Sequence, residues 1–563
     1  MAEDFMAAAV KRVEEQFAKS GVSESCAAFE RKENQIEMRD GVKLHTIYYF
    51  PKEDTAEEKT YPVILTRTCY PGNDRIHRAY GEGLARRGYV YVYQYCRGRE
   101  NSEGKWEPNI NERKDGIDTM NYLVEQPWCE ILGYWGHSYT SMTGWAFADA
   151  AEGKVAAMFL EDYGTDRFVS AYEKGCFRHD ILTAWSMENA EKPVNADYRE
   201  SCRYLPQIEV DEALWGQKVP SYREYITSPN PDAALWQTGW WKQLREIPSK
   251  TKVPIYLLSG WYDHHHGSSM KTWERLNEET KQHSWLEIGA WNHFFQICLE
   301  GKEVLHPQNE EIPKMLEWFE LTLKQKEIPT QRIRAYEIGA DRWIDIVSDG
   351  LGEKGTAGSM TLYLDEKTLR TDTPEQEKTR NYTFDPATPV ESIGGEALLH
   401  TMPQIGSHLQ PEPDYRGDVL SFVSEPLEET FTLNGKASVR LFVESDCEDT
   451  AFTAKIMEVT PEGKAYNIRS SIATLEQGKT EAGAYEPGSV AEVQITMWNI
   501  VYTIPAGSRI RVDVSSSDFP QYHVHSNQKG LWSEKTENKI AHQTIHTGGV
   551  HASCVILPLM KKQ

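Results

Sequence analysis

The chain has 563 residues with 39% hydrophobic side chains, 17 tryptophans and 28 tyrosines, which argues against disorder and for domains with large cores. Its 61 basic and 85 acidic residues give a formal net charge of -24, so we expect neither nucleic acid nor an anionic membrane surface as a partner. No apolar run approaches the length of a membrane-spanning helix, so we also expect no membrane span.

The nine cysteines are scattered and form no CxxC pair, which predicts reduced, mostly buried thiols. The first residues lack the basic and apolar regions of a secretory signal, so we expect a cytoplasmic protein. Residues 1–34 are predicted as an amino-terminal extension with an amphipathic helix, because Phe5, Ala9, Val13 and Phe17 recur every four residues. This helix would dock on its own domain or on a partner subunit, which makes a homo-oligomer possible.

Residues 35–164 and 251–330 alternate between short apolar strands and helical stretches. The strand candidates are "YPVILTRTCY", "GYVYVYQYC", "ILGYWG", "VPIYLLSGW" and "HSWLEIGAW", and "NERKDGIDTMNYLVEQ" has apolar residues at helical spacing. Apolar runs of this kind are typical of parallel strands buried on both faces. The pattern predicts an α/β domain with a mostly parallel sheet covered by helices.

Two regions depart from this alternation. Residues 165–250 hold five tryptophans among helical and polar stretches, which we interpret as an inserted helical cap. The tryptophans would either wall an apolar pocket or form the core of the helical layer. In residues 331–563 apolar side chains alternate with polar ones, as in Val439, Leu441 and Val443, and this period of two predicts an antiparallel β-sandwich.

The stretch "GYWGHSYTSMTGW", residues 133–145, predicts a strand that turns sharply into a helix at a serine. A Gly-x-Ser corner of this kind lifts the serine hydroxyl above the sheet, so Ser138 is a candidate nucleophile. The backbone N–H of Tyr139 is a candidate donor to an oxyanion. The usual G-x-S-x-G pattern is incomplete, because Thr140 stands in place of the second glycine, and a chance strand-to-helix junction remains an alternative.

A serine nucleophile needs a base and an orienting carboxylate. Asp263 follows the strand "VPIYLLSGW", and His293 follows the strand "HSWLEIGAW". In α/β-hydrolases the triad appears in the chain order Ser, Asp, His, with each residue beyond the end of a strand. Ser138, Asp263 and His293 therefore form a candidate catalytic triad.

At these residues the sequence resembles the Xaa-Pro dipeptidyl-peptidase and cocaine-esterase-like hydrolases, which include the α-amino-acid ester hydrolases. The family motif G-x-S-Y-x-G corresponds to "GHSYTS" with Ser141 in place of the last glycine, W-Y-D to residues 261–263, and G-x-W-x-H to "GAWNH". Further blocks such as "RGRENSEGKW" and "IPAGSRIRVDVSSSDFP" extend the resemblance from about residue 35 to the end of the chain.

The resemblance implies an α/β-hydrolase domain with a helical cap and a carboxyl-terminal jelly roll. It implies that Ser138 is the nucleophile, that His293 is the general base and then acid, and that Asp263 fixes the imidazole. It also implies a second oxyanion donor, the hydroxyl of Tyr70 in "RTCYPG", for which the alternative is a turn residue stacked on Pro71. No cofactor or metal is required.

Three consecutive histidines, His264 to His266, follow the candidate aspartate. Neighbours in sequence point in different directions, whereas metal ligands converge, which disfavours a zinc site. We expect His265, His266 and the cap residue Trp185 to line the substrate pocket. His137, beside the serine, is interpreted as a packed or hydrogen-bonded neighbour and not as a second base.

The sequence thus predicts a serine hydrolase that cleaves a small ester or amide, or a short peptide, through an acyl-enzyme. Two alternatives remain open. The first is an Xaa-Pro dipeptidyl-peptidase, which needs carboxylates that hold a free amino terminus. The second is a catalytically silent scaffold or binding protein that keeps the fold.

Overall fold

The protein is described by a computed structural model that covers residues 2–52, 59–346, 351, 356–398 and 401–561, with side chains from residue 6 onward. Within these residues two large sheets form, one in each half of the chain. No helix in this part of the chain is both long and apolar enough to cross a membrane.

The strands of the first half build a ten-stranded sheet and a small hairpin, β7–β8, among the described residues. The spatial order of the large sheet is β1-β2-β4-β3-β5-β6-β9-β10-β11-β12. The strands are β1 Ala28–Glu37, β2 Lys43–Lys52, β3 Tyr61–Thr68, β4 Val90–Tyr95, β5 Cys129–His137, β6 Val155–Glu161, β7 Tyr172–Glu173, β8 Cys176–Phe177, β9 Ile255–Gly260, β10 Trp285–Gly289, β11 Arg332–Glu337 and β12 Arg342–Asp345.

Helices fill the connections between these strands and cover both faces of the sheet. They are α1 Ala2–Lys19, α2 Asp74–Arg86, α3 Glu112–Val124, α4 Tyr139–Trp145, α5 Arg167–Ala171, α6 His179–Glu188, α7 Tyr198–Arg203, α8 Val210–Ala213, α9 Pro220–Ile226, α10 Ala234–Gln237, α11 Gly239–Lys250, α12 His266–Arg275, α13 Glu278–Lys281, α14 Glu311–Phe319 and, in the second half, α15 Leu475–Gly478.

The predicted parallel sheet is confirmed. Strands β4, β3, β5, β6, β9, β10 and β11 are parallel neighbours, and β1, β2 and β12 add antiparallel edges. Every residue of β4, β9 and β10 is buried, as their mostly apolar sequences predict. The sheet reaches beyond the predicted limits of residues 35 and 330, because β1 pairs with β2 and β11 pairs with β10.

The amino-terminal helix docks on its own unit. Helix α1 packs against α2 and α14, and Val13 and Phe17 lie in the core beneath it. The guanidinium of Arg87 sits 4.9 Å from the Phe17 ring centre and donates to the Phe17 carbonyl oxygen at 2.8 Å. The side chain of Phe5 lies outside the described residues. Since the apolar stripe is used internally, it gives no reason by itself to expect a second copy of the chain.

Residues 165–250 carry the hairpin β7–β8 and the helices α5 to α11, inserted between the parallel strands β6 and β9. Trp215, Trp236 and Trp241 are buried in this segment, which matches the interpretation of the tryptophans as a helical core. Trp185 and Trp240 are only half-buried. Trp185 is thus not enclosed in this core, and part of its side chain is free to line a pocket.

The second half is rich in β-structure, as predicted. In β18 the residues Val439, Leu441 and Val443 are buried while their neighbours are less so, which is the predicted period of two. The strands are β13 Thr356–Asp365, β14 Thr368–Arg370, β15 Lys378–Phe384, β16 Leu420–Ser424, β17 Phe431–Gly435, β18 Ser438–Ser445, β19 Ala451–Val459, β20 Ala465–Thr474, β21 Ala491–Thr496, β22 Ile500–Ile504, β23 Arg509–Ser515, β24 Ala541–Thr547 and β25 Cys554–Met560.

The docking of α1 predicts a stability effect. Phe17→Ala should lower the free energy of unfolding by about 3 kcal/mol, because a buried ring is replaced by a cavity. Glu14→Ala, an exposed change on the same helix, should alter it by less than about 0.5 kcal/mol. Urea denaturation of both variants measures the difference, and equal stability of the two would contradict the docked helix.

Candidate active site

The strand-to-helix corner at Ser138 has the strained geometry that the sequence predicts. Ser138 has φ +58° and ψ -127°, a region that non-glycine residues seldom occupy, and it separates β5 from α4. Gly136 is needed here, since a Cβ at this position would lie 2.2 Å from the Thr140 carbonyl oxygen. The Thr140 side chain bonds the backbone N–H and C=O of His137 at 2.7 Å each. Thr140, where a glycine was expected, therefore braces the corner.

The three triad candidates lie beyond the carboxyl ends of β5, β9 and β10, and the structure brings them together. His293 Nε2 lies 2.9 Å from Ser138 Oγ, and His293 Nδ1 lies 2.5 Å from Asp263 Oδ2. The other oxygen of Asp263 accepts the backbone N–H of His265 at 2.7 Å. Asp263 is fully buried, so these bonds fix its carboxylate against the imidazole.

His137 holds the main chain of His293. The Nε2 atom of His137 lies 2.9 Å from the His293 carbonyl oxygen and 3.6 Å from Asp162. Burial lowers the pKa of His137, so its ring is neutral and donates to the carbonyl. His137 is thus a hydrogen-bonded neighbour of the triad, as interpreted from the sequence.

Asp162 is a site residue that the sequence reasoning missed. Its carboxyl group is fully buried beside the triad, and neither oxygen has a hydrogen-bond partner among the described residues. Burial, and then the charge of Asp263, raise the pKa of Asp162 well above its usual range, so we treat it as protonated. Its signal in the sequence is its position directly after β6, at the same sheet edge as the triad.

The predicted oxyanion donors lie next to the serine. Tyr70 follows β3, and its hydroxyl is 3.5 Å from Ser138 Oγ. Burial raises the pKa of Tyr70, so the phenol keeps its proton and can donate it. Tyr139 is the first residue of α4, and its side chain is held by Glu112 at 3.1 Å and by the backbone N–H of Asn109 at 2.8 Å.

The three predicted pocket residues are placed differently. Trp185 stacks on Tyr139 with ring centres 5.7 Å apart, beside the nucleophile. His265 packs 4.8 Å from the Tyr163 ring and 5.8 Å from His293, and burial lowers its pKa, so it is neutral. His266 lies away from this cluster, because its Nε2 atom bonds the Asn499 carbonyl oxygen of the β-rich half at 3.2 Å. The structure does not bring His266 to the serine.

Two groups of potential metal ligands among the described residues overlap this site. One is His137, Asp162 and His293, and the other is Asp263, His264 and His293. His293 belongs to both, and its two ring nitrogens face Ser138 and Asp263. The triad contacts therefore already engage both ring nitrogens of His293, the residue that the two groups share.

The fold is the α/β-hydrolase type, followed by a β-rich unit, and the chain is a serine hydrolase by family. A model of the X-Pro dipeptidyl-peptidase (S15) family matches residues 40–295, and a model of its C-terminal non-catalytic domain matches residues 329–556. The two together span most of the chain. The protein belongs to this family of hydrolases.

Individual relatives agree with that assignment. Cocaine esterase from Rhodococcus sp. (strain MB1 Bresler) is 27% identical over 574 residues, 94% of this chain and 98% of that protein. An aminopeptidase from a marine sediment Thaumarchaeota archaeon superposes with a TM-score of 0.81 at 21% identity, over 95% of this chain and 96% of that one. An α-amino-acid ester hydrolase superposes with a TM-score of 0.82 at 22% identity, over 95% and 97%. The two superpositions show the shared fold.

Proposed function

We propose that the protein hydrolyses a carboxylic ester or amide through an acyl-enzyme, with Ser138, His293 and Asp263 as its catalytic triad. The observation that carries the proposal is the unbroken chain of contacts from Ser138 Oγ through both ring nitrogens of His293 to Asp263. This geometry suits a serine that gives its proton to an imidazole held by a carboxylate.

The reaction follows from the positions of these groups. Ser138 Oγ attacks the substrate carbonyl carbon while His293 Nε2 takes the hydroxyl proton. The Tyr70 hydroxyl and the Tyr139 N–H donate to the oxyanion of the tetrahedral intermediate. The intermediate collapses, His293 protonates the leaving alcohol or amine, and an acyl-enzyme remains. Water then attacks with His293 as the base, and Ser138 leaves with the proton as the acid is released.

We propose that residues 165–250 act as a helical cap over this site. Trp185, on α6 of this segment, stacks against Tyr139, and Ser170 Oγ, on α5, lies 3.0 Å from His265 Nδ1. The segment therefore meets the triad edge from above. His265 and Trp185 are the pocket residues that this placement supports.

We propose further that residues 331–563 are a jelly roll that supports the site. His266 begins α12, and its bond to Asn499 ties this helix to the β-rich half. A Cβ at Gly267 would lie 2.3 Å from the Trp498 ring, so the two halves approach closely here. The segment that follows Asp263 is thus fixed from outside the α/β sheet.

The serine's role predicts a labelling result. A fluorophosphonate probe should modify the wild-type enzyme at Ser138 Oγ. Ser138→Ala should abolish this labelling and lower kcat for ester hydrolysis by about 10⁵ to 10⁶-fold. Ser141→Ala is the matched control, because Ser141 is also a buried serine and lies three residues away. This variant should keep both the labelling and the ester hydrolysis. A persistent label in Ser138→Ala, or none in the wild type, would favour the silent scaffold.

Tyr70 and Tyr139 make contrasting predictions. Tyr70→Phe removes a hydroxyl next to Ser138, so kcat should fall by about 10² with little change in KM. Tyr139→Phe removes a hydroxyl that faces Glu112 and Asn109 and keeps the backbone N–H, so kcat should change far less. Steady-state kinetics on an aryl ester compares the two, and equal losses would contradict the role of Tyr70.

The family model keeps an Xaa-Pro dipeptidyl-peptidase as the second candidate. Such an enzyme must hold a substrate ammonium with carboxylates, whereas burial raises the pKa of Asp162, the carboxyl group beside the triad whose oxygens have no hydrogen-bond partner among the described residues. We therefore expect a higher kcat/KM for a simple aryl ester than for an Xaa-Pro anilide. Assays of both substrates under one condition measure this, and a preference for the anilide would favour the peptidase.

A further inference from the structure

Arg167 is a buried arginine without a carboxylate partner among the described residues. Arg167 is 6% exposed, and among the described residues it forms no ion pair. Its Nε atom also has no hydrogen-bond partner there. By contrast, the fully buried Arg67, Arg178 and Arg469 face Glu112, Asp180 and Glu396 respectively. Arg167 differs from them in having its charge balanced by no described acid.

Aromatic side chains surround the Arg167 guanidinium. Its central carbon lies 5.3 Å from the ring centre of Tyr225 and 5.6 Å from that of Trp241. Burial by itself lowers the pKa of Arg167, but the phenols of Tyr225 and Tyr163 raise it above its usual range, so the group stays charged. Rings and phenols offset only part of the cost of burying a cation. An anion bound at this position would offset the rest of the cost of burying the guanidinium.

The position of Arg167 connects it to the triad. It begins α5, six residues after β6, and β6 lies between β5 and β9, the strands that carry Ser138 and Asp263. Tyr163 precedes it on this connection and packs against His265, whose backbone N–H bonds Asp263. Above it lie Tyr225 of α9 and Trp241 of α11. Arg167 therefore stands between the triad edge of the sheet and the helices of residues 165–250.

We propose that Arg167 binds a carboxylate of the substrate, so that the enzyme prefers esters or amides with a free carboxylate several bonds from the reacting carbonyl. This inference rests on the function proposed above. A guanidinium offers two parallel donors to a carboxylate, and the pairing is strong where water is excluded. The carboxylate belongs to either the acyl half or the leaving half of the substrate, and the test separates the two.

Two pairs of esters test the proposal, each differing in one charge. The acyl pair is 4-nitrophenyl hydrogen adipate and its methyl ester. The leaving-group pair is 4-acetoxybenzoate and its methyl ester. After subtraction of spontaneous hydrolysis, the wild type should favour the charged member of one pair by at least about tenfold in kcat/KM, equivalent to about 1.4 kcal/mol. The pair that shows the preference identifies the half that carries the carboxylate.

The variants assign the preference to one side chain. Arg167→Met should lower kcat/KM for the charged ester about 10 to 100-fold and leave the uncharged ester nearly unchanged. Arg167→Lys should retain part of the preference. Arg99→Met is the matched control, because Arg99 also lacks an ion pair among the described residues but stacks on Trp106, 4.3 Å from its ring centre. This variant should keep the preference.

The outcomes separate this inference from the proposed function. Fluorophosphonate labelling of Arg167→Met shows that the variant is folded. If the variant is not labelled, the readout is instead the rate at which the probe labels the wild type. Adipate should slow this labelling, and dimethyl adipate should not. Any of four results would overturn the carboxylate site. The wild type could hydrolyse both members of each pair at equal rates, or Arg167→Met could lose activity equally on charged and uncharged esters. Adipate could fail to protect the wild type from labelling, or the preference could be lost only in Arg99→Met. Absent labelling of the wild type would instead overturn the serine mechanism.

Discussion

The site depends on the parallel alignment of β5, β9 and β10. Parallel strands end at a common edge, so residues 138, 263 and 293 meet although they are far apart in the chain. The strained φ of Ser138 turns this alignment into a reactive geometry, because it lifts the hydroxyl toward His293. A strained residue of this kind costs about 1 to 3 kcal/mol, which the packing of β5 and α4 must offset. Gly136 and Thr140 are the local devices that hold it.

Charge is distributed around the triad in an uneven way. Asp263 is fixed by two donors, while burial and the charge of Asp263 raise the pKa of Asp162 nearby. Two carboxyl groups so close cannot both ionise cheaply in a dry interior. The neutral histidines His137 and His265 add no positive charge. Arg167 is buried and forms no ion pair among the described residues, which is the electrostatic basis for an anionic substrate group.

Much of the fold could be predicted from the sequence because the signals are local and strong. Mostly apolar runs indicated the central strands, and the Gly-x-Ser corner followed by Asp and His in that order indicated the triad candidates. Tyr70 came from resemblance to a family and not from any pattern in its own segment. Prediction was weaker where a residue's role depends on its distant neighbours. His266 is the clearest case, since its position in a run of three histidines says nothing of Asn499, 233 residues further on.

Asp162 and Arg167 also have roles that depend on distant neighbours, and their own segment gives no reason to single them out. Each looks ordinary in "LEDYGTDRF", which holds three acidic residues and one arginine that could pair at a surface. Only the fold reveals that Asp166 is paired with Arg275, 2.7 Å away. Among the described residues the buried Asp162 has no lysine or arginine partner, and the buried Arg167 has no carboxylate partner. Burying a charged group or a protonated carboxyl group costs free energy unless a partner offsets that cost. Such a group without a partner beside a nucleophile therefore indicates a functional role, which the amino-acid composition does not reveal. The short connection after β6 thus holds both the neutral acid below the triad and the cation above it.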